Sequence, residues 1–389
     1  MRRRIIGVTI GGLILAMAPF LTAPANAAKA PFHHACSVAD KGEAACLALV
    51  RSDIAKSAKA LRSEAAAPSG LAPADLQDAY KLPSATAGTG QTVAIVDAYD
   101  APTAEEDLAT YRSQFGLPAC TTANGCFKKV DQNGGTSYPS VDEGWAQEIS
   151  LDVDMVSAVC PNCKIVLVEA DSAEFADLGT AVNTAAGMAN VVSNSYGGSD
   201  ASDSDYGAYY DHAGVAMTVS SGDGGYEVEY PASSRYVTAV GGTSLTRSGS
   251  SRGWDESAWN GAGSGCSDLN TAISGQSGAD TGCTGRAVAD VSAVADPATG
   301  VAVYDSTAAG GQSGWMVFGG TSVAAPVVGG VYGLAGSGGD NNTPYAHTDA
   351  LFDVTSGSNG TCDTSQWCNA RAGWDGPTGL GTPNGVGAF

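Results

Sequence analysis

Ser322 stands in GGTSVAAP (319–326), behind two glycines and ahead of an apolar run, VVGGVYGLAG, that reads as a buried helix. A hydroxyl there either caps free N–H groups at the helix start or attacks a substrate. The second role needs a base, and the 389-residue chain has four histidines. His33 and His34 lie near the amino terminus, His212 in a candidate helix and His347 in a polar loop, and no HGTH-like segment exists. Carboxylates are the other candidates. Glu148 and Asp152 stand four apart in EISLD, so both lie on one face of a helix, about a turn apart. Pairs of this kind are mostly solvated surface, but Trp145, Ile149, Val153 and Val156 make this helix largely apolar. Burial of two such acids raises at least one pKa, and a Glu so raised can take a serine proton while the Asp orients it. Asp223, in VAMTVSSGDGG, ends an apolar strand where open α/β sheets bind ligands, although Asp-Gly is also ordinary turn chemistry.

The segments around these residues alternate in type. QTVAIVDA, KIVLVEA, NVVSNSYG and VAMTVSSGD read as buried strands. Between them, TAEEDLATYRSQFG, with a Thr103/Glu106 capping box, WAQEISLDVDMVSAV, EFADLGTAVNTAAGM and DSDYGAYYDHAG read as helices. Strands alternating with helices predict a mainly parallel sheet covered by helices, one α/β domain with no internal linker or repeat. Residues 28 to about 70 carry a helical pattern, EAACLALVRSDIAKSAKALRSEAAA, before the break APSGLAPAD. They predict a short helical leader or propeptide remnant.

MRRR, an apolar stretch from Ile5 to about Leu21 and Ala25-Asn26-Ala27 form a signal-peptide pattern over residues 1–27, so an exported protein with no membrane anchor is expected. Without those residues 16 basic groups face 40 acidic ones, a net charge of −24, which disfavours nucleic acid as a partner. The ten cysteines fall into neighbouring pairs, 36/46, 120/126, 160/163, 266/283 and 362/368, and export implies disulfides, with local closure expected. Cys160-Pro-Asn-Cys163 fits a structural staple better than a redox or zinc motif, since no second CxxC or nearby histidine accompanies it.

Taken together and in order, EISLD, SSGDGG, YPASSRYVTAVGGTSL and GGTSVAAP resemble the sedolisins, the serine-carboxyl peptidases that share the subtilisin fold. The resemblance spans about residues 70–389. It implies a subtilisin-like α/β catalytic domain over 71–389, with helices on both faces of the sheet. It also implies Ser322 as nucleophile, Glu148 as general base, Asp152 as its partner and Asp223 as a protonated acid toward the oxyanion. Such a set suits acidic pH, because Asp223 donates only while it keeps its proton and Glu148 must be ionised. A second Gly-Thr-Ser triplet places Ser244 where a strand runs into a polar loop, whereas Ser322 precedes a helix whose dipole can help a nucleophile.

FDVTSGSNG and ARAGWDGPTGLG resemble the two halves of the sedolisin calcium site, implying one structural Ca²⁺ held by Asp353, Val354, Arg371, Gly373 and Asp375. Arg371 stands where that family often has glycine. Protein or peptide substrates and a monomeric state are expected. The leader is far shorter than the sedolisin prosegment, which leaves an exported binding module on a peptidase scaffold as one alternative. A subtilisin-type Ser/His/Asp site is the other, with Asp97 of VAIVDAYD on the strand where subtilisins carry their aspartate.

Overall fold

The computed structural model describes residue 1 and residues 31–54, 68–336 and 339–389. The signal-peptide pattern and residues 55–67 of the expected leader lie outside the described residues.

Strands β1 (Phe32–His34), β2 (Ala45–Cys46) and β3 (Leu49–Arg51) come first, then helix α1 (Pro73–Ala79). The alternating part runs β4 (Thr92–Ala98), α2 (Ala104–Gln114), β5 (Phe127–Asp131), α3 (Glu143–Val159), β6 (Lys164–Ala170), α4 (Phe175–Ala186), β7 (Val191–Asn194), β8 (Tyr196–Ser199), β9 (Ala216–Ser220) and β10 (Glu229–Tyr230). There follow β11 (Thr238–Arg247), β12 (Trp254–Ala258), β13 (Val291–Val294), the hairpin β14 (Val301–Ala309) and β15 (Gln312–Gly319), and α5 (Thr321–Ala335).

The central sheet has the order β12-β11-β9-β7-β4-β6-β5, with β13 also pairing β11. All its pairings are parallel except β11 with β12. Period-two alternation divides β4 between two cores: Val93 and Ile95 pack with α1, α2, α3 and α5, while Ala94, Val96 and Ala98 face α4. Helices thus cover both faces, and the carboxyl ends of β4, β7 and β9 open toward one site.

The leader departs from the sequence reading. Residues 45–46 and 49–51, read as helical, form strands instead. β2 pairs antiparallel with β8, β3 with β15, and β1 with β3. The run Ala-Cys-Leu-Ala-Leu-Val suits either period, and two open strand edges of the main domain decide it, a tertiary override of local propensity. DSDYGAYYDHAG is helical only over Asp203–Tyr206, followed by a 3₁₀ turn to Tyr209. The Thr103/Glu106 capping box does not form, because the Thr103 hydroxyl donates to Asp107 Oδ2 at 2.7 Å. The five neighbouring cysteine pairs are all disulfides.

Candidate active site

Helix α3 begins at Asp142, whose Oδ1 accepts the N–H groups of Gly144 and Trp145, each at 3.0 Å. Every residue from Gly144 to Val159 is buried, so its acidic residues leave water when the helix packs. Helix α5 begins after Gly320, whose φ of +95° lies in the left-handed region. A Cβ on Gly320 would stand 1.9 Å from the Leu47 carbonyl oxygen and 2.7 Å from Asp223 Oδ2, so glycine serves a close approach as well as a backbone angle. The first N–H of α5 has a distant partner: Thr321 donates from its N–H and its hydroxyl to Asp223 Oδ1, both at 2.8 Å. Ser322 is not a cap; its hydroxyl donates to Glu148 Oε2 at 2.9 Å, with the Ser195 carbonyl at 3.3 Å.

Around this bond lies a dry group of carboxyls. Glu148, Asp152 and Asp97 are 0 % exposed, as is Ser322. Asp152 Oδ1 accepts the Ser195 hydroxyl at 2.8 Å, and Glu148 Oε2 also accepts the Ala48 N–H at 2.9 Å. Glu148 Oε1, Asp152 Oδ2, Asp223 Oδ2 and both Asp97 oxygens find no other hydrogen-bond partner. Burial, with Asp152 alongside, pushes the Glu148 carboxyl well above the usual range, against the bonds from Ser322 and Ala48. Burial and the Asp97 charge push Asp152 up likewise, against its bond from Ser195. Asp97 is raised by burial and by Glu148. Buried acids this close cannot all ionise, so the group shares protons. Burial lifts Asp223 to about 7, against its two bonds from Thr321; with Oδ1 accepting both, Oδ2 is the oxygen left to carry a proton.

Glu148, Asp152, Asp223 and Ser322 therefore meet at one place. Ser244 does not join them; it donates to Asp296 Oδ2 at 2.6 Å. Asp97, weighed in the sequence only as a member of a histidine-dependent site, belongs to the carboxyl group. Sequence reasoning misses Ser195: it ends NVVSNS just past a strand, and nothing local marks it as a partner of Asp152. It misses Glu229 too. That residue lines a cavity of about 420 Å³ together with Asp223, Glu227 and Gly197, and burial, aided by the Asp223 charge, raises it to about 8.

At the other end of the chain, Asp375 Oδ1 accepts from the Thr378 N–H and hydroxyl at 3.0 and 2.8 Å, and Oδ2 from the Arg371 N–H at 3.0 Å. Burial lifts this carboxyl to about 7, and Asp353 is close enough to raise it further. Asp353 Oδ2 accepts the Gly373 N–H at 3.0 Å. Among the described residues no cluster of three or more His, Cys, Asp or Glu gathers as a metal site.

The sequence matches the subtilase family over residues 132–374. Kumamolisin of Bacillus sp. (strain MN-32) is 32 % identical over 369 residues, covering 84 % of this chain and 64 % of kumamolisin. Sedolisin of Pseudomonas sp. (strain 101) is 26 % identical over 356 residues, covering 80 % of this chain and 59 % of sedolisin. The chain thus spans about 60 % of the length of these curated relatives. The structure of Pseudomonas sedolisin complexed with two molecules of pseudo-iodotyrostatin superposes with a TM-score of 0.67 at 25 % identity, over 82 % of this chain and 96 % of that one. Sphericase superposes at 0.51 with 18 % identity, a likeness of fold. The chain belongs to the subtilase family and, with these relatives, to its sedolisin-like members.

Proposed function

We propose that this chain is a serine-carboxyl peptidase that hydrolyses peptide bonds in acid, with Ser322 as nucleophile. The observation that carries the reading is the 2.9 Å bond from the Ser322 hydroxyl to Glu148, inside a buried carboxyl group. The hydroxyl's partners are Glu148 and the Ser195 carbonyl, which favours a carboxylate base over a histidine one. Glu148 takes the serine proton as the bond to the substrate carbonyl forms, and Asp152, held by Ser195, shares the proton that keeps the pair from double ionisation. Asp223 donates from Oδ2 to the developing oxyanion. When the tetrahedral intermediate collapses, Glu148 returns its proton to the leaving amine, and water then releases the acyl group by the same steps in reverse. A binding module without activity has little use for such a group, since each dry carboxyl costs stability unless its proton does something.

Residues 1–27 direct export, and residues 28–70 form a leader ahead of the peptidase domain at 71–389. No helix among the described residues is long and apolar enough to cross a membrane. Peptide substrates, no nucleic acid, and a monomer fit the strongly acidic composition. One Ca²⁺ would be held by the carboxylates of Asp353 and Asp375 and the carbonyls of Val354, Arg371 and Gly373. The donor set fits: the two acids repel, and among the described residues those three carbonyls accept no hydrogen bond. Hard oxygen donors suit this ion. Bound there, the cation supplies charge that lets Asp375 ionise, and it takes no part in the chemistry.

The test is hydrolysis of denatured casein by the purified exported chain from pH 3 to 8, with Ser322→Ala as control. Activity confined to acid and absent from the variant is expected. A histidine-dependent optimum above neutrality would overturn the reading.

A further inference from the structure

Glu169, near the end of β6, extends the buried carboxyl group by one more acid. β6 pairs parallel with β4, and Glu169 is the register partner of Asp97. Ile165 and Leu167 share a core with Val93 and Ile95, so period-two alternation sets Glu169 and Asp97 side by side on that face, roughly 5 Å apart across the ladder. Helix α3, with Glu148 and Asp152, packs on the same face. Burial first, then the Glu148 and Glu169 charges, raise Asp97, as fits a group lying between those two acids.

The two oxygens of Glu169, a residue that is 0 % exposed, have different surroundings. Oε1 accepts the Ala101 N–H at 3.0 Å and lies 3.3 Å from Lys129 Nζ. Oε2 is buried with no hydrogen-bond partner. Lys129 does not demand a charge on Glu169, because Asp100 is its ion-pair partner and the Ala101 carbonyl accepts from it at 3.2 Å. Burial lifts Glu169 to about 8, against the Ala101 bond and the Lys129 charge, so this residue holds a proton in acid. With donors on Oε1, the proton belongs on Oε2.

Asp97 offers that proton two buried oxygens, neither of which has another partner. Tyr196 of β8 does not supply one, since its hydroxyl donates to Asn194 Oδ1 at 2.9 Å. The other acids around Glu169 are occupied. Asp131, its register partner on β5, accepts the N–H groups of Asn133, Gly135 and Ser137 at 2.8, 2.9 and 2.7 Å. Asp177 of α4, on the opposite face of the sheet, accepts the Ser172 hydroxyl at 2.6 Å.

We propose that Glu169 is a positioning residue for the catalytic base: it donates its Oε2 proton to Asp97, which turns the shared protons of the carboxyl group toward Glu148 and leaves the negative charge there. This rests on the peptidase reading above. With a donor behind it, Asp97 presents its own proton to Asp152, and Asp152 presents one to Glu148. Glu148 is then the acid left ionised, with Oε2 facing the Ser322 hydroxyl. Glu169 touches no substrate and gives up no proton during turnover; the serine proton still passes to Glu148 and on to the leaving amine. Without the donor the anion is held by one hydrogen bond fewer along the chain, and Glu148 ionises only at higher pH.

The test is kcat/KM on denatured casein from pH 3 to 8 for wild type, Glu169→Met and Glu169→Gln, with Ser322→Ala as blank and circular dichroism as the check of folding. In Glu169→Met the acid limb should lie about half to one pH unit higher, a roughly 3- to 10-fold loss along that limb, with the alkaline limb unmoved. Glu169→Gln should follow the wild type, because its amide can donate to Asp97 while its carbonyl accepts from Ala101 and Lys129. An acid limb of Glu169→Met that coincides with wild type overturns the inference and leaves the peptidase reading standing. A limb of Glu169→Gln displaced as far as that of Glu169→Met also overturns it, since the charge and not the donated proton would then matter. Infrared difference spectra at pH 5 between wild type and Glu169→Gln decide the point whether or not the methionine variant folds. Loss of a protonated-carboxyl stretch is expected, and loss of a carboxylate stretch overturns the inference. No Ser322-dependent hydrolysis by the wild type at any pH overturns both readings.

Discussion

The interior site and the C-terminal loops use the same residue type for opposite ends. In the interior, Asp97, Glu148 and Asp152 are fully buried, and Asp97 lacks hydrogen-bond partners altogether. At the loops, Asp375 is buried but takes three donors, and its neighbour Asp353 is exposed. A carboxyl without donors or cations keeps its proton, whereas one with donors, an open side and a second acid nearby can be neutralised by a metal ion. On the proposed function, the interior acids carry protons, whereas the loop pair, buried Asp375 beside exposed Asp353, holds a cation.

The sharpest way to break the first half is to remove the pair at its centre. Ser322→Ala or Glu148→Ala should each lower kcat on casein by roughly 10⁴-fold or more, since members of such a unit fail together. Circular dichroism should show both variants folded, and a double variant should be no worse than either single. Wild-type turnover in either would show that the 2.9 Å bond is structural.

Asp223 gives a smaller effect with a diagnostic pH dependence. It donates only while protonated, so activity should fall as pH rises through about 7. Asp223→Ala should lose about 10²–10³-fold in kcat, on the order of 3–4 kcal/mol. Asp223→Asn should retain part of the activity and move the alkaline limb upward, because an amide donates at any pH. A limb that stays in place in the asparagine variant assigns it to another group.

These residues are legible because each sits in a short motif that joins a chemical type to a place in the fold: a serine at a helix start, two acids a turn apart on an apolar helix, an aspartate at a strand end. Asp97 and Ser195 are harder to read, since their roles depend on what lies across the sheet from them. The leader misleads for a related reason. Its apolar residues fit a helix and a strand alike, and the edges that make it a strand, at Tyr196 and Phe318, are some 150 and 270 residues away. The parallel sheet is plain from alternating segments, and the disulfides from close cysteine spacing, because both are local or periodic signals.

The pH dependence of stability tests the interior as a whole. Its carboxyls have folded pKa values above those of an unfolded chain, Asp223 at about 7 and Glu169 and Glu229 at about 8. Between about pH 4 and 8 the folded state therefore binds more protons than the unfolded one, and stability falls as pH rises. The contribution of Asp223, Glu169 and Glu229 is complete below about pH 4 and gone above about pH 8. The melting temperature should be highest near pH 4–5 and lower by roughly 5–10 °C at pH 8. A curve that instead rises toward neutrality would mean that these acids are ionised in the fold and that the interior behaves like the loops.

The smallest effect expected is at the loops. Asp353 and Asp375 come from Gly-rich segments that lose much conformational freedom on ordering. A cation bound by the folded form alone stabilises it by RT ln(1 + [L]/Kd), about 2.7 kcal/mol at a hundredfold excess over Kd. Chelation at pH 5 should lower the melting temperature by a few degrees and leave kcat on casein unchanged well below the melt. Asp375→Ala should make the melt indifferent to chelator while keeping the Ser322-dependent activity, because its carboxyl touches Arg371 and Thr378 and none of the interior acids. A wild-type melt that ignores chelator, with no calcium in elemental analysis, would reduce the pair to capped turns. The bond from the Gly373 N–H to Asp353 Oδ2 at 3.0 Å would then be what joins the two loops.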